Sequence, residues 1–435
     1  MPRRNIGVAT FCSCLMPFLP ACNTAGSASD GSDVDALPAY VLEEELRIGD
    51  VDDPDLGFSQ IGPVDVDRDG SVYVVERTDM QIRVFDEKGR PLRRIGGRGE
   101  GPGEFAVLTS FGVVGDTVWV SDTRLRRITL FDREGNIISA VPATGVAIET
   151  SSPGFTVTVR PNAMRADGLF TSTYSRGFSG STPPTGGPPV RAPRLLFNGR
   201  GEAVDTLGWW EVDVPNITIV APSRDVIKAG EREIPRPQPP ADTPLRMDID
   251  GDSVVVDRTR AVNADDAHFT IMRTAMTGDT IYHRRYTYRP RSYDGAALDT
   301  IVAGMARRPV GGPVVTLAGG AIVAAMGSLT MPDPASPEEL RTMERAIRDA
   351  LVMPAHQPPV TSQRRGKDEA VWLRREEDGT GEFRWLMLQP DGRPFGELSA
   401  PRHLAFSWSS ANQVWAIDRD EFDVPWLVRY RLVRK

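Results

Sequence analysis

Ser71-Val-Tyr-Val-Val-Glu76 and Thr117-Val-Trp-Val-Ser-Asp122 are one segment written twice, 46 residues apart. The aromatic residue, its flanking valines and the closing acid fall in the same places. The register holds further out, where Val84-Phe85-Asp86 with Gly89 matches Leu130-Phe131-Asp132 with Gly135. Four short strands and three turns use about 40 to 50 residues, so a repeat of this length describes one four-stranded antiparallel blade of a β-propeller. A glycine a few residues past the end of a strand suits the positive-φ position of the hairpin that follows. The same turn recurs at Phe197-Asn-Gly-Arg-Gly201, Met276-Thr-Gly278 and Gln389-Pro-Asp-Gly392. The second-strand pattern returns at Val254 to Asp257, at Val371-Trp372-Leu373 and at Val414-Trp415-Ala416-Ile417-Asp418.

These copies predict an all-β, six-bladed propeller over residues 40–435, with blades at about 59–96, 105–142, 155–210, 244–290, 358–399 and 401–434. The last blade has room for three strands. Tyr40 to Ile48, a β-rich orphan at the other end of the chain, is expected to supply its fourth and so close the ring without an exposed edge. Three stretches fall outside the repeat. Ser175 to Ala192 and Glu231 to Pro244 are Pro-rich and read as surface loops. Residues 291–357 form an insertion before blade five. In it Ser336 to Leu351 carries an N-cap serine, proline at the first helical position, early acids and apolar residues at helical spacing, which predicts an amphipathic helix. Val310 to Met331 holds no charge, but its Gly319-Gly320 pair between β-type residues reads as a buried hairpin rather than a membrane span.

Blades one and two resemble NHL-type repeats. In Asp122-Thr-Arg-Leu-Arg-Arg127-Ile128-Thr-Leu-Phe131 a strand ending in Asp is followed five residues later by Arg-Ile and then by a strand ending in Phe. Blade one keeps the frame with Gln81 in place of the arginine. The linker Gly96-Gly-Arg98-Gly-Glu-Gly-Pro102-Gly103-Glu104-Phe105 resembles that of bacterial six-bladed NHL-like propeller lipoproteins. The resemblance covers about 85 residues and implies ligand or protein binding more often than catalysis.

The N-terminus carries its own signal. Arg3 and Arg4, the apolar stretch Ile6 to Pro20 and then Leu19-Pro20-Ala21-Cys22 follow the order of a secretory leader ending in a lipobox. Residues 1–21 are therefore expected to be a lipoprotein signal peptide, Cys22 the lipidated residue, and 22–39, small and acidic, a flexible tether. All three cysteines lie in the first 22 residues, so the mature chain is expected to have no disulfide. It is read as a monomeric bacterial envelope lipoprotein, on the outer membrane facing the periplasm or the cell surface and held by its lipid alone. A net charge of −8 argues against a nucleic-acid partner, which needs concentrated Lys and Arg. The expected partners are an envelope protein, a peptide or a glycan.

The candidate sites are sparse. Asp65, Asp67 and Asp69 before Gly70 match the start of a calcium loop. Glu76 would be the twelfth ligand, but it closes a strand about 20 Å long and cannot swing back, so a plain Asp-Gly turn is the stronger reading and a small calcium loop the weaker. Asp248, Asp250 and Asp252 make a similar, weaker case. Glu76, Asp122, Asp257 and Asp418 close equivalent strands. They invite an acidic metal ring, but a strand-end acid more readily accepts hydrogen bonds from turn amides. No other cofactor is implied, and no nucleophile elbow or phosphate loop occurs. Arg98, Arg246, His403 and Trp408 are expected at one channel mouth, where a guanidinium beside an aromatic would suit an anionic or glycan ligand. The preferred function is non-catalytic binding. The alternative is a metal-assisted hydrolase, lactonase or lyase with carboxylates at the channel mouth.

Overall fold

The computed structural model describes residues 32–435 apart from 51, 54, 152–154, 181–189, 212–225, 231, 236–243, 250, 262, 294, 308–316, 319–320, 323–334 and 376–380. The leader and Cys22 lie outside the described residues. So do most of the two Pro-rich excursions and most of Val310 to Met331.

The chain is an all-β propeller. Blade one is built from Ile61–Val66, Val72–Glu76, Gln81–Phe85 and Pro91–Gly96, and blade two from Leu108–Val114, Thr117–Asp122, Arg127–Phe131 and Ile137–Pro142, each an antiparallel meander. Four more blades follow, whose first strands are Phe155–Met164, Leu245–Ile249, Val360–Arg365 and Ala405–Ser409. First strands of neighbouring blades pack side by side, which places them around the central channel. The turns joining third to fourth strands repeat one hydrogen-bond pattern. Gly89, Gly135, Gly201, Gly278 and Gly392 all have φ between 75° and 93°, the left-handed region in which a side chain is strained. In blade six, whose fourth strand comes from the N-terminus, Asp423 takes a left-handed conformation in the second-to-third turn, at φ 64°.

Ring closure follows the sequence expectation. Ala39–Ile48 pairs antiparallel with Pro425–Arg434, from Tyr40 opposite Arg434 to Ile48 opposite Leu427, and completes blade six. Its first residues also pair in parallel with blade five, Ala39 with Glu397 and Tyr40 with Leu398, so one strand ties two blades. The tether is shorter than expected. Ser32 and Asp33 pair in parallel with Tyr286 and Thr287 on the outer strand of blade four, and Val34 is fully buried in the core between blades four and five. An apolar valine inside an otherwise polar stretch gives that segment the burial it needs to dock.

Blades are held face to face by apolar layers. Tyr73 and Val75 of blade one meet Val118, Val120 and Phe131 of blade two. Trp372, Trp385 and Leu398 of blade five meet Val414, Ala416 and Val428 of blade six. Trp119, Trp372 and Trp415 occupy equivalent second-strand positions and are all buried, as the repeat requires.

The insertion before blade five holds two helices, α1 (Gly295–Ala306) and α2 (Pro337–Ala350). For α2 the capping box is complete: the Ser336 side chain accepts from the Glu339 amide and Glu339 reaches back to the Ser336 amide. The sequence reading did not find α1, whose first turn carries no acid and which packs against α2. Met343 and Ile347 of α2, Val302 and Ala306 of α1 and Ala229 of the hairpin Val226–Ala229/Arg232–Pro235 share a small core. The hairpin and the insertion thus meet in one satellite. Leu317–Ala318 and Ala321–Ile322 pair on either side of the Gly-Gly pair. Among the described residues no helix is long and apolar enough to cross a membrane.

Candidate functional site

Because each blade is a meander, its first-to-second-strand hairpin lies at one mouth of the channel, and its second-to-third turn and interblade linker lie at the other. At the linker mouth the closing acids act as predicted for turn acids. The Asp122 carboxylate accepts from the amides of Ala106, Val107, Arg124 and Leu125 at 2.7 to 3.0 Å. Glu76 accepts from Ser59, Gln60 and Thr78 in the same manner. Asp257 accepts from the Thr259 amide, and Asp418 binds Arg47 of the closing strand. Glu76 and Asp122 thereby hold linkers to strands, Asp257 closes its own turn, and Asp418 ties the closing strand to blade six.

The hairpin mouth is different. A cavity of about 420 Å³ opens there among the ends of the first strands. Asp65 and Val113 line it from blades one and two, Met164 from blade three, Arg364 from blade five and Trp408 from blade six. A second hollow of about 280 Å³ shares Ala163, Met164 and Arg365 with it and reaches Asp248 of blade four. Val146–Glu149, a fifth strand of blade three, pairs antiparallel with residues 156–159 at the Phe155–Met164 edge of that blade. Gly112 shapes the wall: a Cβ there would come within 2.8 Å of the Trp119 indole nitrogen, and its absence lets the ring lie against the strand.

A crossbar spans this mouth. The hairpin tip of blade five leans over blade six, where the Lys367 amide donates to Ser409 O at 2.8 Å and Asp368 accepts from the Ala411 amide at 2.7 Å. The Lys367 ammonium then reaches blades one and two, donating to both oxygens of Asp65 at 2.8 and 2.9 Å and to Val113 O at 3.1 Å. On the other flank Glu369 binds Arg273 of blade four at 2.8 Å.

The charge is one-sided. The wall of the larger cavity has three cations, Arg364, Arg365 and Lys367, and one acid, Asp65. Asp65 is committed to Lys367 and to the Val113 amide. Arg364 donates to the carbonyl of Phe406, and burial alone pushes its guanidinium down to about 10.

The three aspartates of the calcium-like loop do not converge. Asp65 faces the channel. Asp67 Oδ1 closes the turn onto the amides of Asp69 and Ser71, and its other oxygen binds Arg133, which also takes Asp69 at 2.6 Å. Asp248 is likewise bound by Arg194, and Asp252 by Arg273. Among the described residues no three His, Cys, Asp or Glu side chains gather in a way that could hold a metal ion.

The four residues expected at one mouth are divided. Trp408 lines the cavity. Arg246 lies on the first strand of blade four, exposed and opposite Val255, two residues before Asp248. Arg98 and His403 belong to the linker mouth. Arg98 donates to Thr78 O at 2.7 Å, bridging the linker to blade one. His403 sits in the turn before Ala405–Ser409 rather than on that strand, exposed, 3.4 Å from Asp418. The guanidinium groups that share the cavity wall with Trp408 are those of Arg364 and Arg365. Their signal was the basic run Arg364-Arg365-Gly366-Lys367 at a strand end where blade one has Val64-Asp65-Val66 and blade two Val113-Val114.

The fold and this mouth define a propeller with a cation-lined cavity at its hairpin mouth. Comparison with known proteins agrees on the fold: the family DUF5128, described as a 6-bladed beta-propeller, matches residues 55–145. No curated protein matches the chain. Among solved structures the chain is similar to a Bacteroides fragilis protein named as exported (9% identity, TM-score 0.44, 91% of this chain and 99% of that one). It is also similar to a DUF4221 member from Bacteroides vulgatus (11%, 0.44, 91% and 98%) and to virginiamycin B lyase from Staphylococcus aureus (10%, 0.35, 91% and 100%). Similarity this distant transfers no function.

Proposed function

We propose that this chain is an exported binding propeller, anchored to a bacterial envelope membrane through a lipidated Cys22, which receives its ligand in the hairpin-mouth cavity. The observation that carries this reading is the cavity itself, about 420 Å³, walled by strand ends of five blades and entered beneath the Lys367 crossbar. A rigid ring with variable strand-end residues is a common way to build such a site. The NHL-like frame of blades one and two and the leader with its lipobox support export and display. A metal-assisted hydrolase, lactonase or lyase needs carboxylates gathered at the mouth, whereas this mouth gathers cations.

Two measurements test the proposal together. Cys22→Ala should move the protein from the membrane fraction to the soluble one. In a mature protein lacking residues 1–22, thermal stabilisation by a panel of muropeptides, oligosaccharides and peptides should identify a binder, and Ser407→Trp, which fills the cavity, should abolish its effect. Undiminished binding by a folded Ser407→Trp protein would place the site elsewhere.

A further inference from the structure

We propose that the channel cavity is a receptor for an oxyanion, a carboxylate or phosphate group on the ligand, gripped by Arg364 from the wall with Lys367 at the rim. This rests on the channel reading above and assigns the chemical class of what enters.

The argument is one of missing countercharge. A buried charge is costly unless it is paired, and proteins ordinarily pair it. This chain does so elsewhere: Arg375 is buried against Glu397 at 2.9 Å, Arg273 against Asp252 and Glu369 at 2.7 and 2.8 Å, Arg133 against Asp67 and Asp69. Arg83, buried and bonded to the carbonyls of Gly57 and Asp55, still feels the charges of Glu76, Asp55 and Asp53. Arg364 has none of this. Among the described residues no carboxylate lies within ion-pair distance of it, and its one hydrogen bond goes to a neutral carbonyl, Phe406 O. Burial is the one influence that moves its proton affinity, with no acidic neighbour to oppose it.

The one acid of the cavity wall cannot serve. Asp65 is held by both Lys367 contacts and by the Val113 amide. The planar fork of an arginine matches a carboxylate or phosphate bidentately, and Lys367, its donors given to Asp65 and Val113 O, neutralises at the rim the acid that would oppose the anion. Trp408 on the same wall offers a flat apolar face for the body of the ligand.

The test uses the mature protein in buffer free of carboxylates and phosphate, at constant ionic strength. Isothermal titration calorimetry is run with galacturonate, inorganic phosphate and, as the neutral match, galactose. Saturable binding of galacturonate, phosphate or both is expected, with none for galactose. Galacturonate alone would identify a carboxylate, phosphate alone a phosphoryl group. Arg364→Met should weaken the anion at least tenfold while its melting temperature stays the same or rises, because a partly buried cation without a countercharge among the described residues has been removed. If Arg364→Met does not fold, Arg364→Lys carries the test and should weaken binding several-fold, since charge is kept and the fork is lost. Absence of saturable anion binding, or affinity within twofold of native in a folded Arg364 variant, would overturn the oxyanion assignment. A neutral binder excluded by Ser407→Trp would then leave the channel site standing with a different ligand class.

Discussion

The two mouths of one channel use their polar residues in opposite ways. At the linker mouth Glu76 and Asp122, charged groups that recur from blade to blade, are buried and accept from backbone amides of their linkers and turns. At the hairpin mouth the charges change sign from blade to blade: blades one and four carry Asp65 and Asp248, blade five Arg364, Arg365 and Lys367, and they border open volume. Residues fixed by the repeat hold the ring together, and departures from the repeat at strand ends furnish the site. Both mouths depend on one closed ring, so the largest expected effect comes from opening it. Deleting Ala39–Ile48 strips blade six of its fourth strand and leaves Pro425–Arg434 as a bare edge, and aggregation with loss of the cooperative melt is expected. Deleting Thr24 to Gly31, which stops short of the Ser32–Asp33 contact with blade four, should leave the melting temperature unchanged. Equal effects of the two deletions would refute closure by the N-terminal strand.

Next in size is a direct contrast between the mouths. Asp122→Ala leaves four amides near a buried site without their acceptor. It is expected to cost about 3 kcal/mol in urea denaturation, since hydrogen bonds to a charged group contribute roughly 1.5 to 3 kcal/mol each before relaxation. Lys367→Ala removes a partly exposed ion pair and should cost about 1 kcal/mol or less. For ligand binding the order should reverse, with the folded Asp122 variant binding normally and the Lys367 variant weakly. Finding the same order in both measurements would erase the distinction between the mouths.

The smallest effect is a dependence on acid pH from the rim turns. Backbone donation from Arg90 to Asp86, from the Asn136 side chain to Asp132 and from the Val424 amide to Asp420 holds each of these carboxyls below the usual carboxylate range. A lowered folded-state pKa contributes stability that is complete above the unfolded value, about 3.9, and is lost as pH falls through the folded one. Thermal melts should therefore drop modestly below about pH 4. Replacing all three by Asn should flatten that limb without touching binding at neutral pH, and an unchanged acid limb would show that these turns do not carry it.

Much of the ring was legible because a repeat writes the same packing problem several times. Tyr73, Trp119, Trp372 and Trp415 fill one equivalent position, and the turn glycines mark one equivalent backbone conformation. Tyr40 to Ile48 was legible as the missing strand by counting. The helix α2 announced itself by its cap, whereas α1 begins without an acid in its first turn and carries no such signature. Docking of Ser32 to Val34 was hidden because it depends on a single valine finding a pocket between blades four and five.

What the sequence determined alone is the blade, its period and the way the ring closes, since these follow from local alternation, turn chemistry and strand arithmetic. What the tertiary structure decided is which strand ends face one another across the channel. Asp65 and Lys367 are 302 residues apart and meet only because six twisted sheets share an axis. Among the described residues Arg364 meets no carboxylate for the same reason: whether one stands near a guanidinium depends on packing between blades, and no local pattern along the chain encodes that distance.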